Sequence, residues 1–319
     1  MEKKLSNVNE EIYLSIIIPV FNENETIKTC YHEINKKLEI YKNSIEIIFI
    51  DDGSSDNSVQ ILKELSQQDN RIKCIFLSRN FGKEAAMSAG INYTNGNYVV
   101  QIDCDLQDPP EIIPSMIETL EKNNCDVVYG VRLERAGESF VKRSTSYLFY
   151  KLIDKMSHID IPRNTGDFRV MKKQVILALR ELPETQRFMK GLFSWIGFKQ
   201  IGFYYKRNKR IAGKTKFNYF KLWNFALEGI TSFTNIPLKV ATYVGFSISF
   251  LAFLISIFYL AKFFIIGDKI QGFLTLIVAI LFMGGIQLMF LGILGEYLGR
   301  TYLETKRRPL YVIKEKINL

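Results

Sequence analysis

The length, cysteine content and charge of the chain already exclude several classes of protein. Its 319 residues suffice for one large domain, or for one domain with an appendage, and its four cysteines (Cys30, Cys74, Cys104 and Cys125) have the spacing of neither a metal site nor a disulfide framework. The formal net charge of +9 does not predict nucleic-acid binding, because many basic residues lie beside long apolar runs, where they suit anionic headgroups or a phosphate-bearing lipid.

Short apolar runs alternate with helical stretches through the first half of the chain. The predicted strands cover residues 14–20, 45–50, 72–77, 98–102 and 126–129, and helices are predicted to begin near Glu25, Ser55 and Gly82. Apolar strands separated by helices predict an α/β fold, with a mostly parallel sheet covered by helices. Ligands of such sheets bind at the carboxyl ends of the strands, and the acidic clusters of this sequence follow those ends.

The last third contains two uncharged apolar runs, residues 240–261 and 272–295. Each is long enough to cross a bilayer as a helix, although a buried helical hairpin is the alternative. Residues 199–221 carry eight basic side chains and no acidic one, and the tail after the second run is basic too. Because basic flanks stay inside, both termini are predicted to be cytoplasmic, and the start of the chain has no secretory signal pattern.

The predicted domain organisation follows from these patterns. A cytoplasmic domain is expected over residues 1–215, a juxtamembrane amphipathic helix over 216–236, two transmembrane helices within 237–298 (about 238–264 and 271–296), and a basic cytoplasmic tail over 299–319. The amphipathic helix rests on the apolar spacing of residues 219–233, for which a core helix is the alternative.

Acidic motifs follow three of the predicted strands. Asp103 and Asp105, one residue apart after the fourth strand, can converge on a hard divalent cation that also binds substrate phosphates. An Asp- and Pro-rich turn is the ordinary alternative. Residues 51–56 follow the second strand, where a carboxylate can accept hydrogen bonds from a ribose or base, and residues 19–25 follow the first. The three motifs together favour a nucleotide site.

These motifs carry a family resemblance. Pro-x-x-Asn-Glu at 19–23, Asp-Asp-Gly-Ser-x-Asp at 51–56 and Asp-x-Asp-Leu-Gln-Asp-Pro-Pro-Glu at 103–111 resemble family 2 glycosyltransferases of GT-A fold. The subgroup most similar is the polyprenyl-phosphate glycosyltransferases, which includes dolichol-phosphate mannose synthase and the bactoprenol glucosyltransferases. The resemblance extends to residues 80–83 and 166–169 and to the apolar hairpin, which favours the bactoprenol branch.

The resemblance implies an activity and a set of site residues. It implies an inverting transfer of one hexose, from UDP-glucose first, to undecaprenyl or another polyprenyl phosphate at the plasma membrane, with Mg²⁺ or Mn²⁺ as cofactor. The implied donor contacts are Pro19, Glu23, Asp51, Lys83 and Asp103; the metal ligands are Asp103, Asp105 and Gln107; Asp105, Asp167 and Arg132 take part in the chemistry; and Arg135, Arg207, Arg210, Lys214 and Lys216 meet the lipid phosphate. Lys214 stands where the family usually has an acid.

Alternatives to this interpretation concern the donor, the product and the assembly. UDP-N-acetylglucosamine and GDP-mannose are the alternative donors. A processive polysaccharide synthase is disfavoured because residues 186–190 do not match its Gln-x-x-Arg-Trp motif, and a non-catalytic nucleotide-sugar-binding membrane protein because the acidic set is intact. Homo-oligomerisation is predicted from the small residues Gly284, Gly285, Gly292, Gly295 and Gly299, which allow close helix packing.

Overall fold

The fold divides into two compact units. The computed structural model describes residues 12–133, 165–185, 187–208, 234, 236–266 and 272–319. The first unit comprises residues 1–224 and 309–319, and the second comprises residues 225–308. The helix predicted at 219–233 lies outside the described residues, as do the predicted lipid-phosphate ligands Arg135, Arg210, Lys214 and Lys216.

The first unit is an α/β domain built on one sheet. Its strands are β1 (Leu14–Val20), β2 (Ile45–Asp51), β3 (Ile72–Leu77), β4 (Tyr98–Gln101), β5 (Val127–Arg132), β6 (Thr165–Lys172), β7 (Gln200–Tyr205) and β8 (Ile313–Ile317). Its helices are α1 (Ile27–Lys37), α2 (Ser58–Gln68), α3 (Lys83–Tyr93), α4 (Ile113–Lys122), α5 (Lys173–Glu181) and α6 (Met189–Trp195), with short 3-10 turns at Glu39–Tyr41 and Pro110–Ile112. The eight described strands are ordered β7-β5-β6-β4-β1-β2-β3-β8.

The central strands are apolar because helices cover both of their faces. All seven residues of β2 are buried, and in β1 only Pro19 is partly exposed. The parallel pairs β1–β2, β1–β4 and β2–β3 form this core, whose four strands match the first four apolar runs of the sequence, and the fifth run is β5. The prediction of an α/β fold with a mostly parallel sheet and covering helices is confirmed.

The other strands bring distant segments to one edge of the sheet. β6 runs antiparallel to β4, with Arg169 opposite Gln101, so the first residues of β6 lie where β4 ends. β7 runs parallel to β5, with Tyr205 opposite Arg132. The carboxyl ends of β1, β2, β4, β5 and β7 therefore share an edge with the amino end of β6.

The last strand, β8, pairs antiparallel with β3 at the opposite side of the sheet. Lys63 makes a 2.6 Å ion pair with Glu315 across this junction, and the Asn318 side-chain amide donates hydrogen bonds to the carbonyls of Ser66 and Ile72. Residues 313–317, which the sequence analysis placed in a basic tail, thus complete the sheet.

The second unit contains two long apolar helices, α7 (Ile236–Ile266) and α8 (Phe273–Thr305). Their apolar windows have mean hydropathies of 1.8 and 2.2, and none of either window is buried. Both helices have the length and composition needed to cross a membrane. The glycines of α8 are open to close packing, since a Cβ at Gly284, Gly285, Gly292, Gly295 or Gly299 meets no atom of the described residues within 4 Å. Homo-oligomerisation stays a prediction.

Candidate active site

A cleft of about 270 Å³ opens at the sheet edge where the central strands end. Loops after β1, β2, β3 and β4 and the start of α3 form its wall. The lining residues are Pro19, Val20, Phe21, Glu23, Asp52, Asn80, Gly82, Lys83, Ala86, Asp103, Cys104 and Asp105. Five residues predicted from the sequence are among them, namely Pro19, Glu23, Lys83, Asp103 and Asp105.

The two aspartates after β2 have different surroundings. Asp51 is only 1% exposed and does not line the cleft; its Oδ2 accepts a hydrogen bond from the Ser54 amide, and its buried Oδ1 accepts none within the described chain. Burial raises the pKa of Asp51 above its usual range. Asp52 does line the cleft and accepts the amide hydrogens of Phe81 and Gly82 at 2.7 and 2.9 Å. Asp52, which the sequence analysis did not select, therefore fixes the loop after β3.

Gly53 allows this turn to pack against the loop after β3, and its replacement is expected to be costly. Its φ is +69°, and a Cβ there would lie 2.4 Å from the carbonyl carbon of Arg79. Gly197 is a matched control, with a φ of +73° and open space around its Cβ position. Gly197→Ala is expected to lower the free energy of unfolding by about 1 kcal/mol, the cost of the backbone conformation alone. Gly53→Ala should cost several times more and weaken nucleotide binding, as thermal unfolding and UDP titration would measure; equal losses would contradict the close approach.

Lys83 links two carboxylates that are far apart in sequence. Its Nζ lies 2.6 Å from Asp103 Oδ1 and 2.6 Å from Asp167 Oδ2. Burial would lower the pKa of Lys83, but the two carboxylates outweigh it and raise that pKa above its usual range. Burial would likewise raise the pKa of Asp167, but Lys83 and Lys190 hold it well below its usual range. Both groups are therefore charged at neutral pH, and Asp167 belongs to the site.

Arg169, to which the sequence analysis gave no role, holds the backbone at Asp167 in place. Arg169 donates hydrogen bonds to the carbonyls of Gly166 and Asp167, each at 3.3 Å, and its guanidinium packs 3.6 Å from the ring centroid of Phe193. Burial and the charge of Asp167 raise the pKa of the neighbouring Glu84 to about 8. Arg169 closes the motif Gly-Asp-Phe-Arg, so the motif itself was a signal for its role.

The carboxylates after β4 fit a divalent cation that is bound partly by the protein and partly by the substrate. Asp105 is 7% exposed, and its Oδ1 accepts the amide hydrogen of Gln107 at 3.2 Å. No group of three or more His, Cys, Asp or Glu side chains that could hold a metal occurs among the described residues. Mg²⁺ and Mn²⁺ prefer oxygen ligands, and Mg²⁺ is commonly held by one or two carboxylates plus waters and substrate phosphates. The two carboxylates of Asp103 and Asp105 match that requirement.

Basic residues lie beyond the acidic loop, at the ends of β5 and β7. Arg132 Nη2 lies 3.7 Å, and Arg207 Nε 3.8 Å, from Oδ1 of Asp108. The structure thus brings Arg132 and Arg207 together.

Comparison with known proteins identifies the family of this fold. The sequence profile described as glycosyl transferase family 2 matches residues 15–180, which contain the cleft-lining residues and Asp167. The chain belongs to glycosyl transferase family 2. The predicted family and the prediction that the chain is a glycosyltransferase are both confirmed.

Relatives of this family 2 glycosyltransferase match it over nearly its whole length. An uncharacterized glycosyltransferase of Synechocystis is 48% identical, covering 95% of this chain and 95% of the relative. A prophage bactoprenol glucosyl transferase homolog of Escherichia coli is 44% identical, over 94% of this chain and 98% of its own length. A bactoprenol glucosyl transferase of Shigella phage SfX is 43% identical, covering 95% of this chain and 99% of the relative.

Proposed function

We propose that this family 2 glycosyltransferase transfers one hexose from a nucleotide-sugar to the phosphate of a polyprenyl lipid. UDP-glucose is the proposed donor and undecaprenyl phosphate the proposed acceptor. The transfer inverts the configuration of the anomeric carbon. The observation that carries the proposal is the full-length similarity to relatives named bactoprenol glucosyl transferase. The paired carboxylates that would hold a metal ion, together with Arg132 and Arg207 beside Asp108, support it, because both substrates bear phosphates.

The lining of the cleft supports a division of roles. Pro19, Glu23 and Asp52 lie on its wall, where they would contact the nucleoside, and Asp51, the other predicted donor contact, is the last residue of β2. Asp103 and Asp105, with Gln107, would hold Mg²⁺ or Mn²⁺. Such an ion neutralises charge on the leaving diphosphate when it is bound. Lys83 adds a fixed positive charge on the same wall.

The proposed acceptor explains why the site needs no strong general base. An oxygen of the lipid phosphate, already an anion at neutral pH, forms a bond to the anomeric carbon. The bond from that carbon to the donor diphosphate breaks, and its electron pair leaves with the nucleoside diphosphate. Basic groups that face the leaving and attacking phosphates stabilise this transition state electrostatically. Arg132 and Arg207 are the described candidates, with Arg135, Arg210, Lys214 and Lys216 predicted to join them.

The order of elements supports a cytoplasmic catalytic domain anchored in the plasma membrane. The helices α7 and α8 are the two candidate spans. β7 precedes the pair and β8 follows it, yet both strands belong to one sheet. The chain must therefore cross an even number of times, which two spans satisfy. Two apolar helices in the same chain as the catalytic unit suit an acceptor that resides in the bilayer.

The test is a transfer assay on the full chain, extracted from membranes in detergent. Labelled UDP-glucose, UDP-N-acetylglucosamine and GDP-mannose are each offered with undecaprenyl phosphate, with Mg²⁺ or Mn²⁺ and with chelator. We expect label from UDP-glucose to enter the organic phase only with metal. Transfer of label from another donor instead would show that the transferred sugar is not glucose. No transfer from any donor, with UDP binding intact, would contradict the lipid-phosphate acceptor.

A further inference from the structure

Asp108 lies at the centre of a buried cluster that joins three strand ends. It is 2% exposed, and its Oδ1 accepts a hydrogen bond from the Tyr205 hydroxyl. The same oxygen faces Arg132 Nη2 at 3.7 Å and Arg207 Nε at 3.8 Å. One carboxylate oxygen after β4 is therefore shared by the last residue of β5, the last residue of β7 and the segment that follows β7.

The backbone holds this cluster tightly. The Asn208 amide donates a 2.9 Å hydrogen bond to the Gln107 carbonyl, so the segment after β7 is joined to the loop after β4. On the other side, a Cβ at Gly166 would lie 2.3 Å from Arg132 Nη2, which means that this guanidinium rests directly on the start of β6. Little room remains for the Arg132 guanidinium to turn.

The two arginines retain hydrogen-bond donors that no described residue uses. The Nε atoms of Arg132 and Arg207 are buried and form no hydrogen bond within the described chain. Buried polar groups nearly always have a hydrogen-bond partner, so two unsatisfied guanidinium donors at one place point to an anion from outside the chain. Phosphate oxygens fit, because a guanidinium offers a planar fork of donors to them.

We propose that Asp108 is a positioning residue for the phosphate-binding arginines. Its carboxylate orients Arg132 and Arg207 by charge, at distances of 3.7 and 3.8 Å that leave their Nε donors available. Tyr205 holds the carboxylate in place by donating a hydrogen bond to the same oxygen. A direct hydrogen bond from either Nε to the Asp108 carboxylate would consume that donor, whereas the longer contact orients the guanidinium and leaves the donor unused. The inference rests on the proposed function, in which these arginines meet the substrate phosphates.

The chain contains a matched control for this cluster. Asp69 also combines a carboxylate, an arginine and a tyrosine: it pairs with Arg71 at 2.6 Å and accepts the Tyr31 hydroxyl at 2.9 Å. It lies before the start of β3, at the sheet edge away from the cleft. Asp69→Asn and Tyr31→Phe therefore remove the same chemistry without touching the site.

The test compares the affinities of UDP and uridine, titrated with Mn²⁺ into the full chain in detergent. Asp108→Asn is expected to weaken UDP about 30-fold, the factor that corresponds to about 2 kcal/mol, and to leave uridine unchanged. Tyr205→Phe, which removes one hydroxyl, should weaken UDP about fivefold, the loss of one hydrogen bond. In an Arg132→Gln, Arg207→Gln background, Asp108→Asn should have almost no further effect on UDP. Asp69→Asn and Tyr31→Phe should change neither affinity.

Each other result bears on the inference. If Asp108→Asn weakened uridine and UDP equally, the inference would be overturned in favour of a purely structural role. The same holds if Asp108→Asn still weakened UDP about 30-fold in the Arg132→Gln, Arg207→Gln background. If Asp108→Asn does not fold, Tyr205→Phe alone decides by the same comparison. The readout is independent of the acceptor, so failure of lipid transfer with a phosphate-specific effect of Asp108→Asn would refute the proposed acceptor and retain the positioning role.

Discussion

Asp105→Asn is expected to reduce sugar transfer by about 10³-fold, the upper range for removing one group that stabilises transition-state charge. Asparagine keeps the volume of this 7% exposed side chain and can still accept the Gln107 amide hydrogen, so the fold should survive. What it removes is the negative charge with which Asp105 would hold Mg²⁺ or Mn²⁺. The Mn²⁺ concentration for half-maximal transfer should rise in the same measurement, because charge on the ligands sets metal affinity.

Asp126→Asn is the matched control for that substitution. Asp126 precedes β5 and accepts hydrogen bonds from the Gln174 side chain and the Lys199 amide, at the edge of the sheet opposite the cleft. Its replacement should leave transfer within about a factor of two, as for substitutions away from a site. If Asp105→Asn kept the wild-type rate and the wild-type metal requirement, Asp105 would not be a metal ligand.

The central part of the fold could be predicted from the sequence because its strands are buried on both faces. Such strands are nearly continuous apolar runs. In β2, for example, all seven residues are buried, so polar residues do not alternate with apolar ones. β8 has no such signal, since its sequence Ile-Lys-Glu-Lys-Ile places charged side chains on an exposed edge. Its partner β3 precedes it by more than two hundred residues, and nothing local in either segment encodes that pairing.

The motifs of the candidate site could be predicted from the sequence, but the contacts between their residues could not. Asp103 and Asp105 were selected from their spacing after the fourth predicted strand, and Asp167 through a family resemblance. The contact of Lys83 with both Asp103 and Asp167, however, depends on β6 running antiparallel to β4. Sequence patterns did not give that direction, because the apolar pattern of the sequence is less regular over the residues that precede β6. Asp108 looked like part of a proline-rich turn, and only the meeting of β5 and β7 beside it reveals its arginine neighbours.

Lys83→Met is expected to lower transfer about 100-fold and to change its pH dependence, because it removes a charge that two carboxylates share. Methionine matches the length of lysine, and the Lys83 side chain is 41% exposed, so the substitution creates no large cavity. Without Lys83, Asp103 and Asp167 lose the cation between them, and the leaving diphosphate loses a fixed positive charge on the cleft wall.

The pH dependence follows from the sign of the Asp167 shift. Burial raises its pKa, and Lys83 first, then Lys190, lower it well below the usual range. In the wild type Asp167 is thus ionised at every pH used for assay and contributes no acid limb. Removing Lys83, the largest of the lowering charges, lets burial raise the pKa of Asp167, so the transfer rate of Lys83→Met should begin to fall at a higher pH than that of the wild type as the pH is lowered.

Lys63→Met provides the control for both effects. Lys63 makes an ion pair of the same length, 2.6 Å to Glu315, at the β3–β8 junction away from the cleft. Its loss should leave the transfer rate and the pH profile unchanged, since an ion pair at the surface contributes little. A Lys83→Met enzyme with the wild-type rate and an unmoved acid limb would mean that Lys83 only joins β6 to α3. A lower rate with an unmoved limb would assign Lys83 to the donor phosphates and remove Asp167 from the pH dependence.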